Sequence, residues 1–567
     1  MKKLLPIILL FSFTKLNAQN VGIGTNKPLS KLHVAGDLRV DSLGKQDSGV
    51  VIHNKSGVLK SLQFTGKKSD VLRGDGTFQS LNAVAADALY WSTTGNSGTE
   101  PDSNFIGTTD KNPLKFRVNN SSAGEINPLN NNTTLGLFAG FQLGSSQGNT
   151  AFGANALEIH YKGNNNTAIG WGSLPNDTVG SANTAVGAGS LGSNESGNRN
   201  CAFGVSALVG NTTGYENCAI GYLSITGSGR LGSAPPGGYQ NTAVGTRSMQ
   251  QNDFGNKNTA VGADALASNW AGGQNTAIGT QSLHYNRESN QTAVGYQSLY
   301  SNINGQNNTS VGYQALYGNT SGSSNVGVGF MSLLVNSTGV SNTATGTRAL
   351  VSNTTGVNNT GYGYGALLSN VTGFQNTALG MLADVTAGNL QNATAIGYRA
   401  KVNASNKVRI GNAAVTRIEG QVPFSTPSDG RYKFNVKEDV IGLKFIMQLR
   451  PVTYQFDVSS FDQTNTGNII QASYNKAAAI RRTGFIAQEV EKAAQQSHYD
   501  FSGINKPQSE QDHYSLSYEA FVVPLVKGMQ EQQLIIEKMQ NLNQQLMQKI
   551  NDLQAEIDII KSTMQQR

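Results

Sequence analysis

Charge is scarce in this sequence. Asp, Glu, Lys and Arg make up 14% of the 567 residues and hydrophobic residues 38%, both below the globular norm. The net charge of +7 is thin for that length and is not gathered into a basic stripe, so nucleic acid is not an expected partner. No apolar run is long enough to span a bilayer. Asp does not recur at the fixed spacing that calcium-binding solenoids need, and neither His498 nor His513 has a second His or Cys at ligand spacing. Both are expected to be surface or structural residues. No metal and no cofactor is expected.

What is abundant is glycine, at 66 residues. A glycine-rich, weakly charged chain can be disordered, but disorder has no fixed period and this chain has one. From 132 to 401 a nine-residue unit recurs, in outline Asn-Thr-Ala-Val-Gly-x-x-Ala-Leu, as at 149–157, 258–266 and 308–316. Its fifth-position Gly falls every 17 residues from Gly136 to Gly397, with two departures. One gap of 24 holds a Gly/Pro-rich insertion at 233–238; one gap of 16 separates Gly279 from Gly295. Each unit reads as one rung of a stack, with Thr-Ala-Val as a short strand and Asn/Thr/Gly runs as turns. The first residue is Asn in 14 of 16 repeats, Gln291 and Ala393 being the exceptions, which predicts a hydrogen-bonded ladder of stacked Asn side chains. A rung cannot bury its apolar face alone, so stability comes from stacking. At about 4.8 Å per rung the stack forms a rod of roughly 75 Å.

Cys201 and Cys218 take the place of the usual Thr in adjacent rungs. Stacked Cα atoms about 4.8 Å apart fall inside the disulfide range. Two small residues filling Thr-like space fit the position as well, and the parallel side-chain directions favour that second reading. Asn-x-Thr sequons read as turn composition and Thr columns as structural ladders. Glu158, Asp177, Glu195 and Asp264 each fall at a different offset from their repeat's Gly, so they form no recurring pair of the kind a glycosidase needs.

The flanks differ. Lys2, Lys3 and an apolar run at 4–13 read as a signal peptide over 1–18, ending at Ala18. An exported protein is expected, secreted or at the surface of a Gram-negative bacterium. Alternating stretches at 21–25, 32–34 and 38–40 predict a β-rich region over 19–131, with further β and turn pieces at 91–96 and 104–110. A neck follows the rod at 402–427. In 428–523 charged and apolar residues alternate at helical and strand spacings. A helix is predicted at 443–449, a strand at 451–456, and an extended stretch from Gly484 running into a helix through Ala494. Tyr514 to Tyr518 leads into the last helix. Over 524–567 apolar residues step by four and three from Leu525 through Ile536 and Leu546 to Met564, the pattern of a coiled coil. Asn543 takes an a position, where a buried Asn fixes register, and Ile557 with Ile560 leans toward trimers or higher.

Two resemblances add to this. The repeat unit looks like the head repeats of trimeric autotransporter adhesins, which implies a trimeric, left-handed β-roll. The motifs 428–433 (Ser-Asp-Gly-Arg-Tyr-Lys), 449–454 (Leu-Arg-Pro-Val-Thr-Tyr), 484–491 and 514–518, in that order, resemble the C-terminal intramolecular chaperone domain of phage tail spikes and endosialidases. That resemblance implies a domain that drives trimerisation of the fibre and then cuts itself off before the motif's Ser. Here the nucleophile would be Ser428, the base Lys433 and the scissile bond Pro427–Ser428. Arg431 would lend a like charge that helps Lys433 lose its proton, while Asp429 would favour the charged form.

The expected fold is mainly β: an elongated trimeric β-roll or solenoid of 17-residue repeats, a small α+β chaperone domain, and a C-terminal coiled coil. The expected function is a structural or adhesive homotrimeric fibre, with a cell-surface or glycan ligand and a single-turnover Ser-Lys autopeptidase as its assembly step. A glycan-degrading enzyme and a passive filament with an uncleaved C-terminus are the rivals.

Overall fold

The structure, a computed structural model, describes parts of 49–80, then 99–100, 104–227, 238–462, 468–510 and 512–566. The expected signal segment, the strands expected at 21–40, the stretch at 91–96 and most of the insertion at 233–238 lie outside the described residues. The chain divides into two units, one ending at Gly107 and one beginning at Thr108. The first holds two antiparallel hairpins, Gly49–His53 with Leu59–Gln63 and Asp70–Leu72 with Phe78–Ser80.

The second unit opens with an antiparallel meander, Leu114–Val118, Ser121–Asn127 and Asn132–Leu135. Its last strand starts a parallel ladder of three-residue strands, Thr150–Phe152, Thr167–Ile169 and onward, that runs to Val408–Ile410. The pairing is strictly in register: Thr on Thr, Ala on Ala, branched on branched. The two irregular gaps keep that register, with Cys218 opposite Thr242 and Thr276 opposite Thr292. The missing residue lies just past Asn286, whose side chain bonds Glu288 O two residues on, where its counterpart Asn302 reaches Gly305 O three residues on. The insertion falls between Gly227 and Gly238, which flank it in the corresponding part of their own rung. Both departures therefore leave the strands alone.

Each position of the rung has one environment. The middle strand residue, Ala151, Ala168, Ala185 and their equivalents, is fully buried. So is the Leu that ends the nine-residue unit, such as Leu157, Leu266 and Leu350. These Leu residues sit at φ of 51° to 52°, the left-handed region that costs a bulky residue about 1–3 kcal/mol. Burial of the side chain, about 1.5–3 kcal/mol, and a main-chain bond from Leu157 N to Ser173 O on the next rung offset it. Composition alone did not indicate this.

The predicted Asn ladder is present. Asn166 N–H donates to Asn149 Oδ1 at 2.8 Å, and Asn166 Nδ2 donates to Gly180 O at 2.9 Å. Asn183, Asn258 and Asn359 repeat the pattern. A second ladder, unforeseen, runs through the residue seven after each repeat's Gly. There Asn319, Asn336 and Asn353 each donate to the previous Asn and to a Gly carbonyl of their own turn. These buried amides satisfy the turn carbonyls that stacking removes from water.

Beyond the ladder lies a small α+β region. Its helices are α1 (Leu443–Ile446), α2 (Val458–Asp462), α3 (Asn468–Ala479), α4 (Ala487–Ser497) and α5 (Val522–Gln565). Val452–Tyr454 pairs antiparallel with Arg482–Gly484. The helix expected at 443–449 is one turn, α4 runs three residues past Ala494, and α2 and α3 are additional. Phe445, Phe501 and Phe521 centre one core with Val490, Ala493 and Ala494. Gly442 meets Gly528 there so closely that a Cβ on Gly442 would lie 2.5 Å from Gly528 N. Leu443 N–H also donates to Glu531 Oε2 at 2.6 Å, which ties α1 to the first turns of α5. Past those turns α5 is exposed, including Leu546, Ile550, Leu553 and Ile557.

Candidate functional site

The motif at 428–433 folds as one short 3-10 turn, Gly430–Tyr432, with Asp429 at its start. Asp429 Oδ1 accepts the Arg431 N–H at 2.9 Å, which fixes the turn. The turn bends the chain back, and Lys433 Nζ meets Ser428 Oγ at 2.7 Å. The two expected partners are thus brought together by local chain geometry. Asp429 and Arg431 do not act on Lys433 separately as expected. Arg431 Nε and Nη2 both donate to Asp429 Oδ2, at 2.9 and 2.5 Å, and the pair largely cancels its own charge. The Arg431 side chain and main-chain N–H hold the Asp429 carboxyl below its ordinary range. The whole stretch 415–439 is exposed, Pro427 and Ser428 included.

The other residues singled out by the sequence sit elsewhere. Cys201 and Cys218 are Cα partners on adjacent strands and are half-buried free thiols. Burial, then the neighbouring Cys218, pushes the Cys201 thiol up. Asn543 lies on the exposed length of α5. His498 closes α4 in a left-handed conformation, and the His513 ring packs on Phe461 at 4.5 Å. On the rod, Glu216 and Asp264 bond Arg199 and Arg247 of neighbouring rungs, at 2.7 Å each. Among the described residues, no helix is long and apolar enough to cross a membrane.

One buried titratable pair escaped the sequence reading. His160 and Asp177 both sit in the second Asn column, on adjacent rungs, with no exposure. His160 Nε2 faces Gly163 O at 2.6 Å, and Nδ1 lies against the Asp177 main-chain oxygen and 3.6 Å from its Oδ2. Asp177 Oδ1 accepts from Gly180 N and Asn194 Nδ2, while Oδ2 has no hydrogen-bond partner among the described residues. No substrate can reach the pair, so it is a defect in the ladder and no active site. The recurring seven-residue offset was the signal that would have found it.

Burial raises the Asp177 carboxyl to about 6 against the opposing pull of His160. The folded pKa exceeds the unfolded value of about 3.9, so this group's stabilising contribution is complete below that value and is lost as pH rises through about 6. The double variant His160→Asn/Asp177→Asn restores the column. Urea unfolding at neutral pH is expected to show it about 1–3 kcal/mol more stable than the parent, with the pH 4–6 slope flattened. An unchanged slope would acquit the pair.

Residues 428–498 match the model of the peptidase S74 family, described as chaperone of endosialidase. The match begins at Ser428 itself and covers Ser428 and Lys433, α1 to α4, and the strand pair Val452–Tyr454 with Arg482–Gly484. No curated protein and no solved structure matches the chain. The molecule is a β-solenoid body followed by a chaperone-like C-terminal domain.

Proposed function

We propose that this chain is the subunit of an exported homotrimeric fibre, structural or adhesive, whose C-terminal domain guides trimer assembly and then cuts the bond before Ser428. The carrying observation is the Ser428–Lys433 contact of 2.7 Å lying in a stretch that a single chain leaves wholly exposed. An amine acts as a base only when neutral, and burial disfavours its charged form. The residues around the dyad invite that burial: Phe424, Tyr432 and Phe434 are 84%, 80% and 85% exposed. A second copy that covers them would strip water from Lys433. Cutting then waits on assembly.

The chemistry balances with water as the co-reactant. Lys433 takes the proton of Ser428 Oγ, and Oγ attacks the Pro427 carbonyl carbon. The Pro427–Ser428 C–N bond breaks as the amine of Ser428 receives that proton, leaving an ester on Oγ. Water hydrolyses the ester, giving a Pro427 carboxylate and a new N-terminus at Ser428.

Two further surfaces favour self-association. The third strand position presents Phe152, Ile169, Phe203, Ile220 and Leu379 to solvent, in a column that is apolar on most rungs, and exposed apolar surface of this kind marks interfaces. The heptad face of α5 is likewise uncovered, and Asn543, once buried between helices, would set its register. Sedimentation equilibrium of the intact Ser428→Ala protein is expected to give a trimer. A monomer with α5 helical would sink the trimeric reading and leave the cleavage chemistry to be judged alone.

A further inference from the structure

The last rung and the C-terminal domain meet in a contact that the exposed connection at 415–439 does not make. Lys407, one residue before the final ladder strand, bonds Asp512 Oδ1 at 2.9 Å and Asn403 Oδ1 at 2.9 Å. The two partners are 105 residues apart. Asp512 has only 6% of its side chain exposed and Lys407 35%, so this is a largely enclosed ion pair, unlike the exposed pairs at Arg417–Glu419 and Arg431–Asp429. Beside it the Arg409 guanidinium lies 5.6 Å from the centre of the Phe461 ring. An apolar patch completes the contact. Val458, Tyr474 and Ala477, from α2 and α3, form a core of their own against Ala413 and Ala414. That core is separate from the one centred on Phe445. Every member of the seat falls on one side or the other of Pro427–Ser428.

We infer that α2, α3 and Asp512 form a docking seat for the rod's last rung, latched by Lys407–Asp512, so that severing the chain before Ser428 does not by itself release the C-terminal domain. The partner is the rod end of this same chain, 403–414. Release is then a second event, the opening of the latch. An enclosed ion pair that loses one member leaves the other charge unpaired, which is costly. The inference rests on the proposed cut for its biological meaning, and its test does not need that cut.

The test uses full-length Ser428→Ala protein with a site-specific protease sequence inserted after Glu419, in the exposed connection. After nicking at physiological salt, the two pieces are expected to co-elute in size exclusion and to stay together in native mass spectrometry. Asp512→Asn and Lys407→Met, each nicked in the same way, are expected to weaken the association at least about tenfold. The swapped pair Lys407→Asp/Asp512→Lys is expected to recover most of it. Separation of the parent pieces on nicking would overturn the seat. Variants that hold as tightly as the parent would overturn the latch, because the pieces would then be held without the ion pair. Whether unmodified protein cuts itself is read separately from its intact mass, so a failed seat and a failed autopeptidase give different results.

Discussion

Ser428→Ala protein is expected to remain a single chain under conditions where the parent yields a fragment with Ser428 at its N-terminus. The variant deletes the only oxygen placed to attack the preceding carbonyl in the proposed mechanism. Loss of a nucleophile from a serine-type site costs roughly four to six orders of magnitude in rate, which for a single-turnover event means no product on any practical timescale. Lys433→Met keeps the hydroxyl and removes its 2.7 Å partner. It is expected to slow cutting by about two to four orders of magnitude, the usual worth of a general base. Intact-mass spectrometry of purified protein over days measures both. Cutting of the alanine variant at the parent rate would remove Ser428 from the chemistry. A parent that never cuts would leave a chaperone-like domain without peptidase activity.

The second large effect concerns the rod. Gly262 lies at φ +133°, and a Cβ there would stand 2.6 Å from Gly279 C and 2.7 Å from Gly279 O on the next rung. Those are main-chain atoms of the ladder, so relief would need two rungs to part. Strain at that dihedral and overpacking, about 1–3 kcal/mol each, together give Gly262→Ala a cost of roughly 2–6 kcal/mol. A stacked-repeat protein is held by nearest-neighbour interfaces, so the loss falls at one joint. Unfolding is expected to split into two transitions, and limited proteolysis to open first near 262–280. Gly172→Ala is the control: its φ is +59°, but nothing lies within 4 Å of the added Cβ. It is expected to cost about 1 kcal/mol, the ordinary left-handed penalty. Equal effects from the two variants would show that backbone conformation alone, and not the close rung-to-rung approach, sets the cost.

The rod was legible because a strict period gives every position one neighbour type, its own equivalent one rung away. Asn149 sits under Asn166 for the same reason that Gly153 sits under Gly170. The second Asn column was less legible because it lies outside the nine-residue unit and its first three rungs carry Leu143, His160 and Asp177 in place of Asn. The helices α2 and α3 were missed for another reason. Part of what they bury, Ala413 and Ala414, belongs to the rod end, and no local pattern reports a partner dozens of residues upstream. At 428–433 it was the resemblance to the chaperone family, and not the local residue types, that pointed to Ser428 and Lys433, and the turn at Gly430–Tyr432 supplies the geometry. The mutual capture of Asp429 and Arg431 was not readable, since either could have faced Lys433.

The confinement of both irregular gaps to one turn bears on how such a chain changes length over generations. Removing or duplicating any 17-residue block returns every Ala, Leu and Asn to an equivalent neighbour, and leaves the seat at Lys407 and the Ser428 junction untouched. Reach is thus a heritable dial, set by the copy number of one short coding segment and read out a few ångströms at a time. The part of the rung where length varies while the strands keep register is where further insertions can be tried with the ladder intact.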